Sequence, residues 1–258
     1  MPQQQKYNKL AAKKILIIGG TSGIGFAVAE ACIESSAHVT ISSSSSSRVS
    51  EKVSALKESY PSSADHIRGF TCDLSKSTLE RDLEELFEKV GGLDHVIFTA
   101  GDALAAMPLD EISLEKIQKA GQIRFFAPLL VAKVATKYLP KTPQSSIILT
   151  TGSVATQPRP NWSVIASYAG GLHSMVRNLA VDLKPIRVNL VSPGAIDTEL
   201  WKGMGEEQKR EMFKGIEQSV LTGKVGRPEE VAEAYLWLLK DANVTGECAV
   251  SDSGSGLV

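Results

Sequence analysis

The segment KILIIGGTSGIGFAVAEA, residues 14–31, joins a compact apolar run to a helix-like stretch through glycines spaced G-x-x-x-G-x-G at Gly19, Gly23 and Gly25. An apolar run of β-branched residues without alternation suits a strand buried on both faces, as in a parallel sheet covered by helices. Glycine at these places permits a tight strand-to-helix turn, close approach of backbone N–H groups to a pyrophosphate, and close helix–sheet packing. The helix N-terminus behind the turn adds free N–H groups and a dipole that favours an anion. A glycine triplet set between a strand and a helix in the first βαβ unit points to nucleotide binding.

Six further compact apolar runs follow: HVTIS (38–42), IRGFTC (67–72), HVIFTA (95–100), SIILTT (146–151), RVNLVS (187–192) and CAVSD (248–252). Stretches with helical patterning separate them, among them residues 25–35, 49–59, 77–90, 114–139 and the segment SVIASYAGGLHSM, residues 163–175. The stretch from Pro228 to Lys240 opens with Pro and two Glu, which suits a helix N-terminus. Strands separated by helices imply parallel crossovers. The expected fold is therefore α/β: a doubly wound, Rossmann-type parallel sheet of about seven strands with helices on both faces. No linker interrupts the pattern, so one domain is expected over residues 1–258, with residues 199–225 as a substrate-side lid within it. The serine run from Ser42 to Ser47 reads as a solvated loop after the second strand.

A net charge of −1 supplies no electrostatic footprint for nucleic acid or an anionic membrane surface. The polar start MPQQQKYNKLAAKK lacks the pattern of a signal peptide, and no later apolar run reaches bilayer length. Three widely spaced cysteines, Cys32, Cys72 and Cys248, exclude a full disulfide framework and fit a reducing compartment. No Cys/His cluster has metal-ligand spacing, so no metal site is expected. These features lead to the expectation of a cytoplasmic protein.

The turn resembles that of the short-chain dehydrogenase/reductase family, and further motifs follow in the family's order from about Lys13 to Gly254. They are TCDLS with Asp73 after the third strand, FTAG (Phe98–Gly101) after the fourth, SVA with Ser153 after the fifth, and RVNLVSPGAIDT around the sixth. GRPEEVAEA and VTGECAVSDSG resemble the closing helix and last strand. Ile18 replaces the usual Thr before the first Gly, Phe98 and Thr99 replace two Asn, and Asp252-Ser253-Gly254 replaces a final D-G-G. The resemblance implies a nicotinamide dinucleotide held at the turn by Gly19, Thr21, Ser22, Gly23, Ile24 and Gly25. It also implies contacts from Ser43, Ser44, Asp73 and Leu74 toward the adenosine, and from Ala100, Gly101, Arg124, Pro193, Gly194, Ile196 and Thr198 toward the nicotinamide. Helix contacts common in the family imply a homodimer or homotetramer.

An NAD-preferring site places Asp at the end of the second strand to accept hydrogen bonds from the ribose 2′-OH. Ser43 falls at that position. A carboxylate would repel a 2′-phosphate, whereas serines donate to it and Arg48 can pair with it. NADP(H) is the expected cofactor; a merely solvated Arg48 opening the next helix is the competing account.

The resemblance also exposes a loss. In the family, Tyr exchanges the proton on the substrate oxygen, and Lys four residues on lowers the Tyr pKa and holds the nicotinamide ribose. Ser orients the carbonyl, and Asn supports a proton relay. Ser153 matches the Ser position. Counting back from LAVDLKPIRVN, the Tyr and Lys positions fall on Ile165 and Ala169, or on Ala166 and Gly170 with the register moved by one. None of the five tyrosines has Lys four residues later, and the Asn position falls on Arg124.

Tyr168 lies three residues past the Tyr position, nearly a helical turn, and is a candidate to face the same cleft. Packing against Gly170 and Gly171 explains it equally well, and without Lys its pKa stays near the ordinary value of about 10. Arg124 stands in the apolar stretch IRFFAPLL and needs a partner if buried; Asp102 is the candidate, with an intersubunit ion pair as the alternative. Arg159 and Trp162 in the loop QPRPNW are candidate substrate contacts, as is Trp201 in the lid. With Met204, Met212 and Phe213, Trp201 points to an apolar, fairly large substrate, although helix amphipathicity accounts for the same residues. His173 reads as structural.

AGQIRFFAPLLVAK and QPRPNWSVIASYAGG are similar to a fungal subgroup of the family that lacks Tyr and Lys. Its members in malbrancheamide and paraherquamide biosynthesis are reductases that also control a Diels–Alder cyclisation through an Asp in the loop matching QPRPNW. Arg159 reverses that charge, so the cyclisation is not carried over. Three functions stay open. One is an NADPH-dependent reductase of an activated electrophile, an iminium ion or conjugated system, in secondary metabolism, for which loss of the proton donor is not fatal. Another is a non-redox cyclase or isomerase with NADP+ as part of its pocket wall, where Arg124 and Asp102 act electrostatically or in acid/base roles. The last is a nucleotide-binding protein without catalysis.

Overall fold

In the computed structural model, which describes residues 6–258, the apolar runs become seven strands. They are β1 (Lys14–Ile18), β2 (His38–Ser43), β3 (Ile67–Thr71), β4 (His95–Phe98), β5 (Ser146–Thr150), β6 (Arg187–Pro193) and β7 (Cys248–Ser251). They form one sheet in the order β3-β2-β1-β4-β5-β6-β7, and every neighbouring pair is parallel. The chain winds outward from β1 in one direction, then returns to the other side at β4. This reversal opens a crevice beyond the carboxyl ends of β1 and β4, the place where open α/β sheets bind ligands.

Among the described residues eight α-helices accompany the sheet: α1 (Gly23–Glu34), α2 (Ser46–Ser59), α3 (Leu79–Val90), α4 (Leu114–Gly121), α5 (Ala127–Ala135), α6 (Ser163–Asp182), α7 (Glu206–Ser219) and α8 (Pro228–Lys240). Successive residues of a strand face opposite sides, so each strand feeds two cores. Leu16 and Ile18 pack with Phe87 of α3, Val131 of α5 and Val176 of α6. Ile15 and Ile17 pack with Val28 of α1 and Tyr235 of α8. Burying each such side chain stabilises the fold by roughly 1.5–3 kcal/mol, which is why the strands read as unbroken apolar runs.

Two expectations need correction. The helix expected over residues 114–139 is interrupted by a π-helical segment, Gln122–Phe126, between α4 and α5. There the N–H of Ala127 reaches back five residues to the carbonyl of Gln122. Pro128 has no N–H to give to the carbonyl of Arg124, so regular i→i−4 bonding fails at this point. The serine run is also not one loop. Ser42 and Ser43 complete β2, Ser46 and Ser47 begin α2, and Ser45 caps that helix by accepting from the N–H of Arg48 at 3.3 Å. Among the described residues, no helix is long and apolar enough to cross a membrane.

Candidate active site

The carboxyl ends of β1 to β6 border a cavity of about 740 Å³. The positions expected to touch the cofactor line it, as do Asp102, Ser153, Arg159, Trp162, Tyr168 and Trp201. Its phosphate end is built by glycine. Gly19 takes φ +95°, and a Cβ there would lie 2.4 Å from the backbone nitrogen of Ala100. A Cβ on Gly25 would lie 2.3 Å from the carbonyl oxygen of Gly19. Only glycine lets β1, β4 and α1 approach this closely.

The N–H of Gly23, at the start of α1, donates to Oε2 of Glu199 at 3.0 Å. A carboxylate therefore sits where the helix dipole and free N–H groups favour an anion. Glu199 follows Thr198, whose Oγ1 accepts from the N–H of Leu200 at 3.3 Å and caps the short turn Glu199–Trp201. Sequence inspection missed Glu199; its place directly after the segment SPGAIDT was the one available signal.

At the adenosine end, Ser43, Ser44 and Arg48 border the cavity, and Arg48 pairs with no carboxylate among the described residues. Asp73 is fixed by its neighbour: one carboxylate oxygen accepts from the N–H of Ser75 at 3.0 Å and from its hydroxyl at 2.7 Å. These bonds hold its carboxyl below the usual range and aim it along the cavity edge.

The opposite end is apolar. Ile165, Ala169 and Leu172, on one face of α6, border the cavity, whereas Ala166 and Gly170 do not. That distinction favours the first of the two registers for the Tyr and Lys positions. Ile165 and Ala169 form a buried patch with Val154, against which Leu104 and Trp162 pack. Tyr168 reaches the cavity edge, but its hydroxyl donates to the carbonyl of Ile117 at 2.9 Å. Its ring presses on Gly121, where a Cβ would come within 2.6 Å, and lies 5.1 Å from Phe125. Burial raises its pKa further, away from proton exchange at neutral pH.

Ser153 opens a short turn, Ser153–Ala155, and lines the cavity without a side-chain hydrogen bond among the described residues. Arg124 lies in the π-helical segment, and its Nε donates to Oδ1 of Asp102 at 3.0 Å. One terminal nitrogen also bonds to the carbonyl of Asp102. Gly101 lets the guanidinium lie flat on the backbone, since a Cβ there would be 2.9 Å away. Burial presses the Arg124 pKa down and Asp102 opposes it, so the pair keeps a charged donor at the cavity wall.

Among residues 199–225, expected as a lid, Trp201 and Met212 border the cavity but Met204 and Phe213 do not. Phe213 instead meets Trp201 edge-on, at 6.4 Å between ring centres. The indole N–H of Trp201 donates to the carbonyl of Ile196 at 2.8 Å, which fixes its ring toward the cavity. His173, on α6, leaves Nε2 buried without a hydrogen bond. Among the described residues no cluster of His, Cys, Asp or Glu could hold a metal ion.

A glycine cradle at a sheet reversal, with a proline–glycine segment facing it from β6, defines a dinucleotide-binding α/β fold. The chain belongs to the short-chain dehydrogenase/reductase family: the family's model, described as an SDR-like Rossmann domain, matches residues 6–258. It is 44% identical over 254 residues to the short-chain dehydrogenase/reductase fsr5 of Gibberella fujikuroi, covering 96% of each chain. It is 40% identical over 259 residues to the short-chain dehydrogenase/reductase malC of Malbranchea aurantiaca, covering 98% of each. The solved structure of the MalC reductase/Diels-Alderase from that organism matches with a TM-score of 0.93 over 98% of this chain and 99% of that one. A small-chain dehydrogenase solved in complex with NADPH matches at 27% identity and a TM-score of 0.78, covering 96% of this chain and 100% of that one.

Proposed function

We propose that this protein is an NADPH-dependent reductase of secondary metabolism that acts on an activated electrophile, an iminium ion or a conjugated carbonyl, without a Tyr–Lys proton donor. One observation carries this reading. The cavity is lined by the residues that the family resemblance gives to a nicotinamide dinucleotide, while the positions it gives to the proton-transfer pair hold the buried, apolar Ile165 and Ala169. The similarity to the MalC reductase/Diels-Alderase and to a dehydrogenase solved with NADPH supports it. The glycine turn would hold the diphosphate, and Ser43, Ser44 and Arg48 the 2′-phosphate. When bound, the nicotinamide supplies hydride chemistry. The wall of Leu104, Val154, Trp162, Ile165 and Ala169 keeps water from the electrophile, and the Arg124–Asp102 pair holds the loop after β4 in place.

The test is to mix the protein with NADPH and a panel of cyclic iminium salts, conjugated enones and simple ketones, following nicotinamide absorbance. Oxidation is expected with activated electrophiles and not with simple ketones, and Arg124→Ala is expected to lower turnover at least about tenfold. Rapid reduction of simple ketones would sink the reading. Product formed with NADP+ and no redox change would indicate a cyclase or isomerase. Tight nucleotide binding without turnover would indicate a non-catalytic role.

Glu199 makes a separate prediction. Its carboxylate competes with the diphosphate for the N–H of Gly23. Glu199→Gln is therefore expected to tighten NADP+ binding about three- to tenfold, because the competing charge is gone. Trp162 and Trp201, both at the cavity, give the fluorescence signal for the titration. Unchanged or weaker binding would show that the carboxylate does not compete.

A further inference from the structure

We infer that the hydride acceptor is a conjugated carbonyl rather than an iminium ion, and that Arg159 holds the oxygen on which its negative charge develops. The inference rests on the reductase reading above and narrows its substrate class.

The geometry begins in four residues. Arg159, Pro160, Asn161 and Trp162 form a turn in which the N–H of Trp162 donates to the carbonyl of Arg159 at 3.3 Å. Proline presets the second position, and Asn161 takes φ +66° at the third, a combination that favours a type II turn. The carbonyl of Asn161 also accepts from the N–H of Met107 at 2.9 Å, which ties the turn to the segment after β4. Arg159 and Trp162 are thereby set side by side, with the guanidinium carbon 5.6 Å from the centre of the indole ring. Trp162 itself packs on the patch that contains Ile165 and Ala169. A cation thus stands at the rim of the apolar wall.

That cation is unspent. No carboxylate pairs with Arg159 among the described residues, whereas Arg124 is paired with Asp102 and Lys224 with Glu230. Two acids that border the same spaces are committed elsewhere: Glu199 to the N–H of Gly23, and Asp252 to Gln157, Ser255 and the N–H of Gly254. Arg159 and Ser153 also border a second recess of about 450 Å³, so Arg159, exposed to solvent, lies where the two spaces meet. An iminium substrate against this wall would face an uncompensated like charge. A carbonyl oxygen that gains charge would instead face an attractive donor.

The step balances without a protein acid. A hydride from the reduced nicotinamide dinucleotide bonds to the β-carbon of the enone. The C=C π pair becomes the new double bond to the carbonyl carbon, and the carbonyl π pair moves onto oxygen. The enolate beside Arg159 then takes a proton at the α-carbon from solvent water at this exposed rim of the wall, leaving a saturated ketone, hydroxide released to solvent, and the oxidised dinucleotide. No hydroxyl is needed at Ile165 or ammonium at Ala169.

Two measurements on the full chain test this, with Arg159→Gln and Arg159→Lys beside the wild type. First, 4-nitrophenolate serves as an enolate mimic and is titrated into NADP+-saturated protein by calorimetry. Arg159→Gln is expected to weaken it about tenfold and Arg159→Lys less, with NADP+ affinity unchanged in both. Second, NADPH oxidation is compared with benzylideneacetone and with an N-methyl-3,4-dihydroisoquinolinium salt. The wild type is expected to prefer the enone, and Arg159→Gln to erase that preference. Phenolate affinity indifferent to Arg159, or faster reduction of the iminium salt by the wild type, overturns the inference. If neither probe is reduced, the reductase reading falls and takes the enone with it. The phenolate titration then decides alone whether Arg159 is an anion contact.

Discussion

Arg187→Leu is expected to destabilise the protein by about 3–5 kcal/mol, the largest loss anticipated from any single side chain outside the apolar cores. Arg187 opens β6 and is only 3% exposed, yet no carboxylate pairs with it among the described residues. Its donors are satisfied by carbonyls instead. Nε donates to Pro143 at 2.7 Å, Nη1 to Leu238 at 2.7 Å and Val244 at 3.2 Å, and Nη2 to Leu239 at 3.1 Å. Leu238 and Leu239 lie in the last turn of α8, whose free carbonyls and negative dipole end the guanidinium neutralises. Leucine would leave these carbonyls buried without donors, and lysine would recover only part of the loss because it lacks the planar fork. Urea unfolding measures the effect. A loss under about 1 kcal/mol would show that water replaces the guanidinium.

His95 gives the same substitution a second readout. Burial first, and then the Arg187 charge, push its imidazole pKa down to about 3, against an ordinary value of 6.5. Between these values the unfolded chain binds a proton that the folded one refuses, so stability falls as pH drops from 6.5 toward 3. Removing Arg187 raises the folded pKa and narrows that window. The variant should therefore lose less stability on acidification than the wild type does.

The strands and the glycine turn were legible because their determinants are local. Ile15 to Ile18 are apolar on both faces because both faces are covered, and Gly19 and Gly25 are glycine because backbone passes where a Cβ would be. The need of Arg124 for a partner was legible too, since a charge on an apolar stretch must be compensated. The break after Gly121 was not, because apolar periodicity runs on through the π-helical segment and only the missing N–H of Pro128 marks it. The serine run misled by composition. Ser42 and Ser43 are held in β2 by main-chain pairing with β1 and β3, to which side-chain polarity is indifferent. Glu199 meets Gly23 across 176 residues, a separation that no local pattern spans. Tyr168 was ambiguous for a related reason: its hydroxyl partner, Ile117, comes from another helix.

Gly25→Ala is expected to weaken NADP+ binding by at least about a hundredfold while the sheet stays folded. The added Cβ would lie 2.3 Å from the carbonyl oxygen of Gly19 and 2.4 Å from Oγ1 of Thr99. The first of these is backbone at the tip of β1, so the strain is relieved only by moving α1 away from the sheet. Such a shift carries the N–H groups of Gly23 and Ile24 off the anion position. Losing two charge-assisted hydrogen bonds, each contributing roughly 1.5–3 kcal/mol, already exceeds a hundredfold. The apolar cluster on the α3, α5 and α6 face contains no residue of α1 and keeps its contacts, while Val28 and Ile33 of α1 lose part of theirs on the other face, so circular dichroism should still report a folded sheet. Gly92→Ala is the control, because a Cβ there meets nothing within 4 Å. Thermal unfolding with and without NADP+ separates the two effects. The variant should lose the stabilisation that bound nucleotide gives the wild type, whereas the control should retain it. A Gly25→Ala protein that binds NADP+ within about threefold of the wild type would mean that α1 tolerates the displacement. The close approach of helix to strand would then not be what holds the diphosphate.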